Sequence, residues 1–116
     1  MFMIKDGAVI CGNKYINAMM VAAQTVFGRH NWATVVTSGR DSHVDGYHPQ
    51  DRALDFRCSM IPEGERQGVA GELRAVLPKF YDIVYEPEVS KVVDGVIVII
   101  KGAHFHVEAD AKKEKG

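Results

Sequence analysis

The sequence predicts an α+β fold, a small antiparallel sheet packed with two main helices. Three observations lead there: apolar residues at helical spacing in two segments, short alternating or β-branched segments between them, and a hairpin signal at Asp94-Gly95 between Val- and Ile-rich runs. Helices and strands interleave, but the hairpin favours an antiparallel sheet over a doubly wound parallel one.

Taken in order, Ile16, Met19, Met20, Ala23, Val26 and Phe27 recur on one helical face between Asn13 and Phe27, and Gly28 is placed to end that helix. Met19 and Met20 read as packing residues. Residues 32–37 are rich in β-branched side chains and stop at Ser38-Gly39, as a strand running into a turn does. Pro49 and Asp51 keep the next segment out of regular structure. Ala53 to Arg57 alternates, with Leu54 and Phe56 on one face and Ala53, Asp55 and Arg57 on the other, so Asp55 faces away from the core.

A second helix is expected from Pro62 to Leu77 on Val69, Leu73, Val76 and Leu77, weakened by Gly64, Gly68 and Gly71 and ended by Pro78. Tyr81 to Tyr85 reads as a strand, 92–100 as a hairpin, and Ala103 to Ala109 as the last strand. The tail is charged and almost without apolar anchors, so the expectation is one domain over residues 1–110 and a flexible end over 111–116.

At 116 residues there is room for one core, and 47% hydrophobic with 25% charged residues is ordinary for a soluble globular chain. The formal net charge of -1 supplies no bulk attraction to nucleic acid or to an acidic membrane surface, and no basic, aromatic-studded patch suggests either partner. Cys11 and Cys58 are too few for a disulfide scaffold and lack the paired spacing of a zinc ribbon. No stretch approaches the ~20 apolar residues of a membrane span, and the N-terminal apolar run is too short for a signal peptide. The expectation is a monomer made in the cytoplasm.

The chemistry concentrates in the histidines. His48, in a loop, precedes Asp55 by seven positions, which can bring an imidazole nitrogen and a carboxylate oxygen together. His104-Phe-His-Val-Glu108 alternates, so His104, His106 and Glu108 share one face while Phe105 and Val107 enter the core. If this strand neighbours the one carrying Asp55, then His48, Asp55 and one of these histidines form a set of N and O donors. Such a set suits zinc with a fourth position open to water, as in catalytic zinc sites. The apolar-rich stretch before the last strand is expected to back it rigidly. Thr37-Ser-Gly-Arg40 presents a guanidinium near the same rim, shaped to hold a carboxylate or polarised carbonyl.

Thr37-Ser-Gly-Arg-Asp41, then His48 and Asp55 within His-Pro-Gln-Asp-Arg-Ala-Leu-Asp-Phe-Arg57, then His104-Phe-His-Val-Glu108, resembles the M15 group of zinc peptidases. These are D-Ala-D-Ala carboxypeptidases and phage L-alanyl-D-glutamate endopeptidases, related in fold to the zinc domain of hedgehog proteins. The elements come in the same order over residues 33–109. The resemblance implies zinc bound by His48, Asp55 and His106, Arg40 on the substrate carbonyl or carboxylate, and His104 as a hydrogen-bond donor to the transition state.

It also implies a peptidoglycan stem peptide as substrate. A small catalytic domain without secretion signal or wall-binding module is similar to a phage lysis enzyme, made in the host cytoplasm and acting on the cell wall after release; a bacterial murein carboxypeptidase, or one acting on recycled muropeptides, is the other form. Two departures stand out: Asp51 replaces the family's usual glycine three after the first histidine, and Ala103 replaces the acidic residue often found three before the last ligand. The second leaves the general base to Glu86 or His104. Glu108 is a candidate to orient a ligand, His43 to gate the cleft, and His30 stands outside the set. The competing reading is a non-enzymatic zinc-binding structural or interaction domain of the same fold.

Overall fold

Asn13 opens the first helix: its Oδ1 accepts from the backbone N–H of Tyr15 and of Ile16, each at 2.9 Å, satisfying donors that a helix N-terminus otherwise leaves unpaired. The computed structural model describes residues 1–41 and 46–116, so His43 lies outside the described residues. Helix α1 spans Lys14–Arg29 and buries Ile16, Met19, Ala22, Ala23, Val26 and Phe27. It runs past Gly28, and the left-handed residue that turns the chain is Asn31, at φ 59°, a conformation asparagine tolerates.

Five strands form the main sheet in the order β1-β2-β3-β7-β4. β1 (Phe2–Ile4) is parallel to β2 (Thr34–Ser38), while β2, β3 (Ala53–Arg57), β7 (His104–Ala109) and β4 (Tyr81–Glu86) are mutually antiparallel neighbours. The expected all-antiparallel sheet is therefore corrected by one short parallel edge strand. Phe2–Ile4 is too brief to announce itself by alternation, and it is held by pairing with β2.

Helix α2 (Arg66–Val76) is preceded by a 3-10 turn over Glu63–Glu65, so the segment after Pro62 is helical in two pieces. Leu54, Phe56, Phe105, Val107 and Val36 project from the sheet against α1 and α2, and all are at most 1% exposed. The alternation of β3 and β7 therefore sorts side chains as expected, with Phe105 and Val107 in the core and His106 and Glu108 on the opposite face.

The hairpin forms at Asp94-Gly95, both with positive φ, 51° and 78°, the requirement of the tight turn that matches strand twist. Its strands, β5 (Val89–Val93) and β6 (Val96–Lys101), make a separate two-stranded sheet, and every residue of both is exposed. The expectation that this apolar stretch would back the site rigidly is thus overturned. Only its base, at Ile100 and Lys101, borders the sheet's polar face.

The C-terminal tail also departs from expectation. Residues Ala111–Lys115 form a helix, α3, capped by Asp110, whose carboxylate accepts from the backbone N–H of Lys112 and Lys113. Glu114 accepts from Tyr15 Oη at 2.7 Å and from Arg52 at 3.0 Å, and the Arg52 guanidinium stacks 3.9 Å from the Tyr15 ring centroid. These charged contacts from distant parts of the chain replace the missing apolar anchors. Among the described residues no helix is long and apolar enough to cross a membrane.

Candidate metal centre

The turn that carries His48 is locked from several sides. Asp51 N–H donates to the His48 carbonyl and Arg52 N–H to that of Tyr47, while the Asn13 side-chain amide reaches across from the start of α1 to the Asp51 carbonyl at 2.8 Å. Asp51 itself sits at φ 55°. A glycine would occupy that left-handed position without strain, and aspartate is among the few other residues that accept it. His48 is 2% exposed as a result.

Strand pairing supplies the other two groups. In the β3–β7 register Asp55 stands opposite His106 and Arg57 opposite His104. His106 Nδ1 lies 2.9 Å from Asp55 Oδ1 and 3.2 Å from His48 Nε2, and His48 Nε2 lies 3.5 Å from Asp55 Oδ1. A zinc ion with ligands at roughly 2.0–2.1 Å in a tetrahedron spaces those ligands about 3.3 Å apart, so the three donor atoms are already at the edge lengths of such a site. Two neutral imidazole nitrogens and a carboxylate are also the right donors. The cluster can therefore hold a metal ion, and the residues present fit zinc.

Its electrostatics follow from burial and pairing. Burial opposes the charge of Asp55, which is 5% exposed, yet hydrogen bonds from His106 and His48 outweigh it and hold the carboxyl well below the usual carboxylate range. Burial likewise opposes protonation of His106, but hydrogen bonds to Asp55 and Glu108 win and raise its pKa to about 9. His106 Nε2 donates to Glu108 Oε1 at 2.7 Å, which leaves Nδ1 as the nitrogen facing the cluster. Glu108 thus contacts the His106 nitrogen that faces away from the cluster.

His104 and Glu86 face each other across the β4–β7 register and form a close ion pair between His104 Nε2 and Glu86 Oε2. His104 Nδ1 also contacts the Gly102 carbonyl at 3.0 Å. The His104 ring is thus fixed at both nitrogens, by a carbonyl on one side and a carboxylate on the other. Glu86 has Lys101 Nζ at 3.6 Å as well, and it lines the same open hollow, about 530 Å³, as His48, Asp55, His106 and Glu108.

Arg40 is not brought to this cluster. Its Nε donates to Asp51 Oδ1 at 3.1 Å, its second nitrogen makes a close contact with the other carboxylate oxygen, and it borders neither hollow on the sheet's polar face. Asp51 is what holds it. Ala103 is buried, and its carbonyl accepts from Cys58 N–H, so the position is part of the backbone framework. His30, at the C-terminal end of α1, pairs with Glu72 at 2.9 Å and stacks on Trp32. Cys58 is a buried thiol pushed up by burial to about 11, unsuited to nucleophilic work.

Arg57 and Lys5 are polar-face residues that motif reading passed over. Arg57 carried a signal, since it alternates with Asp55 on the same strand, but Lys5 is brought there only by the pairing of β1 with β2. No protein-family model matches the sequence, and no curated protein or solved structure matches it.

Proposed function

We propose that the chain is a zinc-dependent peptidase of the M15 type, with a hedgehog-like fold, that hydrolyses amide bonds in peptidoglycan stem peptides. The observation that carries this reading is the convergence of His48 Nε2, Asp55 Oδ1 and His106 Nδ1 at tetrahedral edge spacing in an open hollow. When bound, zinc supplies Lewis acidity, polarising a carbonyl and lowering the pKa of water toward ~7.

The protein's own groups do the rest. Glu108 holds the His106 ring by its Nε2–H so that Nδ1 stays aimed at the cluster. Glu86, on the rim, is the base that accepts a proton from the attacking water and then returns it to the leaving amine, with His104 holding the carboxylate in place. Substrate class comes from the resemblance, and release to the cell wall by a phage lysis partner is part of the same proposal.

A non-enzymatic zinc-binding domain is the second reading, favoured by one observation: Glu86 is engaged by both His104 and Lys101. Zinc content and mass analysis of products from purified murein, measured together, separate the two. Stoichiometric zinc with new stem-peptide fragments supports the peptidase; stoichiometric zinc with intact murein supports the binding domain. His106→Ala should lose both zinc and cleavage, whereas Glu86→Gln should keep zinc and lose rate.

A further inference from the structure

The three donors of the metal cluster are not held alike. Asp55 and His106 stand opposite each other on paired strands, so the sheet fixes one against the other. His48 comes from a turn, and the 3.2 Å between its Nε2 and His106 Nδ1 depends on what grips that turn. Asn13 and Arg40 hold it from one side, through the carbonyl and the carboxylate of Asp51.

Helix α3 grips it from the other side, at both ends. Tyr47, directly before His48, donates its hydroxyl to Asp110 Oδ1 at 3.2 Å and accepts the Ala111 N–H at 3.3 Å. Arg52 closes the turn by donating its N–H to the Tyr47 carbonyl at 3.0 Å. The Arg52 side chain then donates Nε to the Ala109 carbonyl at 2.8 Å and a terminal nitrogen to Glu114 at 3.0 Å. Glu114 is steadied in turn by Tyr15 Oη at 2.7 Å. Asp110, the cap of α3, directly follows β7, the strand that carries His106. One short segment therefore ties the strand of one donor to the turn of another.

No residue of α3 is buried, so only hydrogen bonds and ion pairs hold it down. Such contacts are individually weak at a surface, and an element held by them opens more readily than the core. A metal donor must stay within roughly 0.5 Å of its productive place, a tolerance that a loosened turn exceeds.

We propose that α3 is a latch on the metal site: through Tyr47 and Arg52 it keeps His48 at ligand distance, and its release loosens the His48 turn while Asp55 and His106 stay paired. Tyr47, Arg52 and Glu114 are positioning residues, since none gives a donor atom to the cluster. The inference rests on the metal-binding part of the reading above.

The test uses Glu114→Ala and Tyr47→Phe in the full chain, with two measurements. The first is amide hydrogen exchange of the zinc-free protein, followed by NMR. The amides of Asp51 and Arg52, which donate within the turn, should exchange roughly threefold to tenfold faster in each variant, while those of Val26, Phe56 and Phe105 in the core keep their rates. The second is a zinc titration, in which affinity should weaken by a similar factor and recover in large part in Glu114→Gln, which keeps an oxygen acceptor for Tyr15 and Arg52. Turn amides that keep wild-type rates in both variants overturn the latch, as does faster exchange spread equally over the core. Unchanged zinc affinity in the variants of a chain that binds zinc overturns it too. If the wild-type chain takes up no zinc while turn exchange still rises in the variants, the metal reading fails and the hold of α3 on the His48 turn stands.

Discussion

Zinc uptake by this chain should release close to one proton and strengthen steeply with pH. The reason lies in His106, whose two ring nitrogens contact Glu108 at 2.7 Å and Asp55 at 2.9 Å, so that without metal both carry protons and the pKa is raised to about 9. A metal at Nδ1 must displace one of them. Below about pH 9 the proton competes, and affinity should rise about tenfold for each pH unit gained, a gain of roughly 100-fold between pH 7 and 9, then level off. Asp55 adds no slope there, because its carboxyl is held well below the usual range and is ionised throughout. Calorimetric titration with zinc in two buffers of different ionisation enthalpy counts the released protons directly. Affinity that is flat from pH 7 to 9, or a proton count near zero at pH 7, would refute the assignment of His106 Nδ1 as a ligand.

Stability of the metal-free protein should follow the same pair. The folded pKa of His106 lies above its ordinary 6.5, so its contribution is fully present below pH 6.5 and is lost as pH rises through about 9; the Asp55 contribution is present above pH ~4 and lost as pH falls further. Thermal melts of zinc-free protein should therefore fall as pH rises from 6.5 to about 9, and again in acid below pH ~4, and a melting temperature constant from pH 6 to 10 would contradict this. Gly39→Ala should destabilise by about 1–3 kcal/mol, because the added carbon would meet the Val9 carbonyl oxygen at 2.3 Å and disturb the bond that Arg40 N–H gives that oxygen; urea unfolding measures it. Phe105→Ala should cost about 3–5 kcal/mol at a fully buried site, while Ile97→Thr, 72% exposed on the hairpin, should stay within about 0.5 kcal/mol in the same assay.

Local rules carried much of this reading because they act over a few residues. Alternation placed Phe105 and Val107 inward and His104, His106 and Glu108 outward, and Asp94-Gly95 announced its turn through the backbone angles those residues accept. The helical spacing of Ile16, Met19, Ala23, Val26 and Phe27 marked α1. The same rules failed where a segment owes its form to a distant partner. β1 is three residues long and exists by pairing with β2, and α3 has no apolar face and is held by Glu114 on Tyr15 and Arg52.

The candidate site divides along the same line. Its residue types, and the face each would occupy on its own strand, were determined by the sequence through periodicity and chemistry. Three things were decided only when the chain closed on itself: the meeting of β3 with β7 that sets Asp55 against His106, the capture of Arg40 by Asp51, and the exposure of a hairpin that looks like core. Side-chain direction depends on a residue's own backbone angles. Which charge finds which partner, and which apolar strand finds a cover, depends on contacts separated by tens of residues, and those no local pattern encodes.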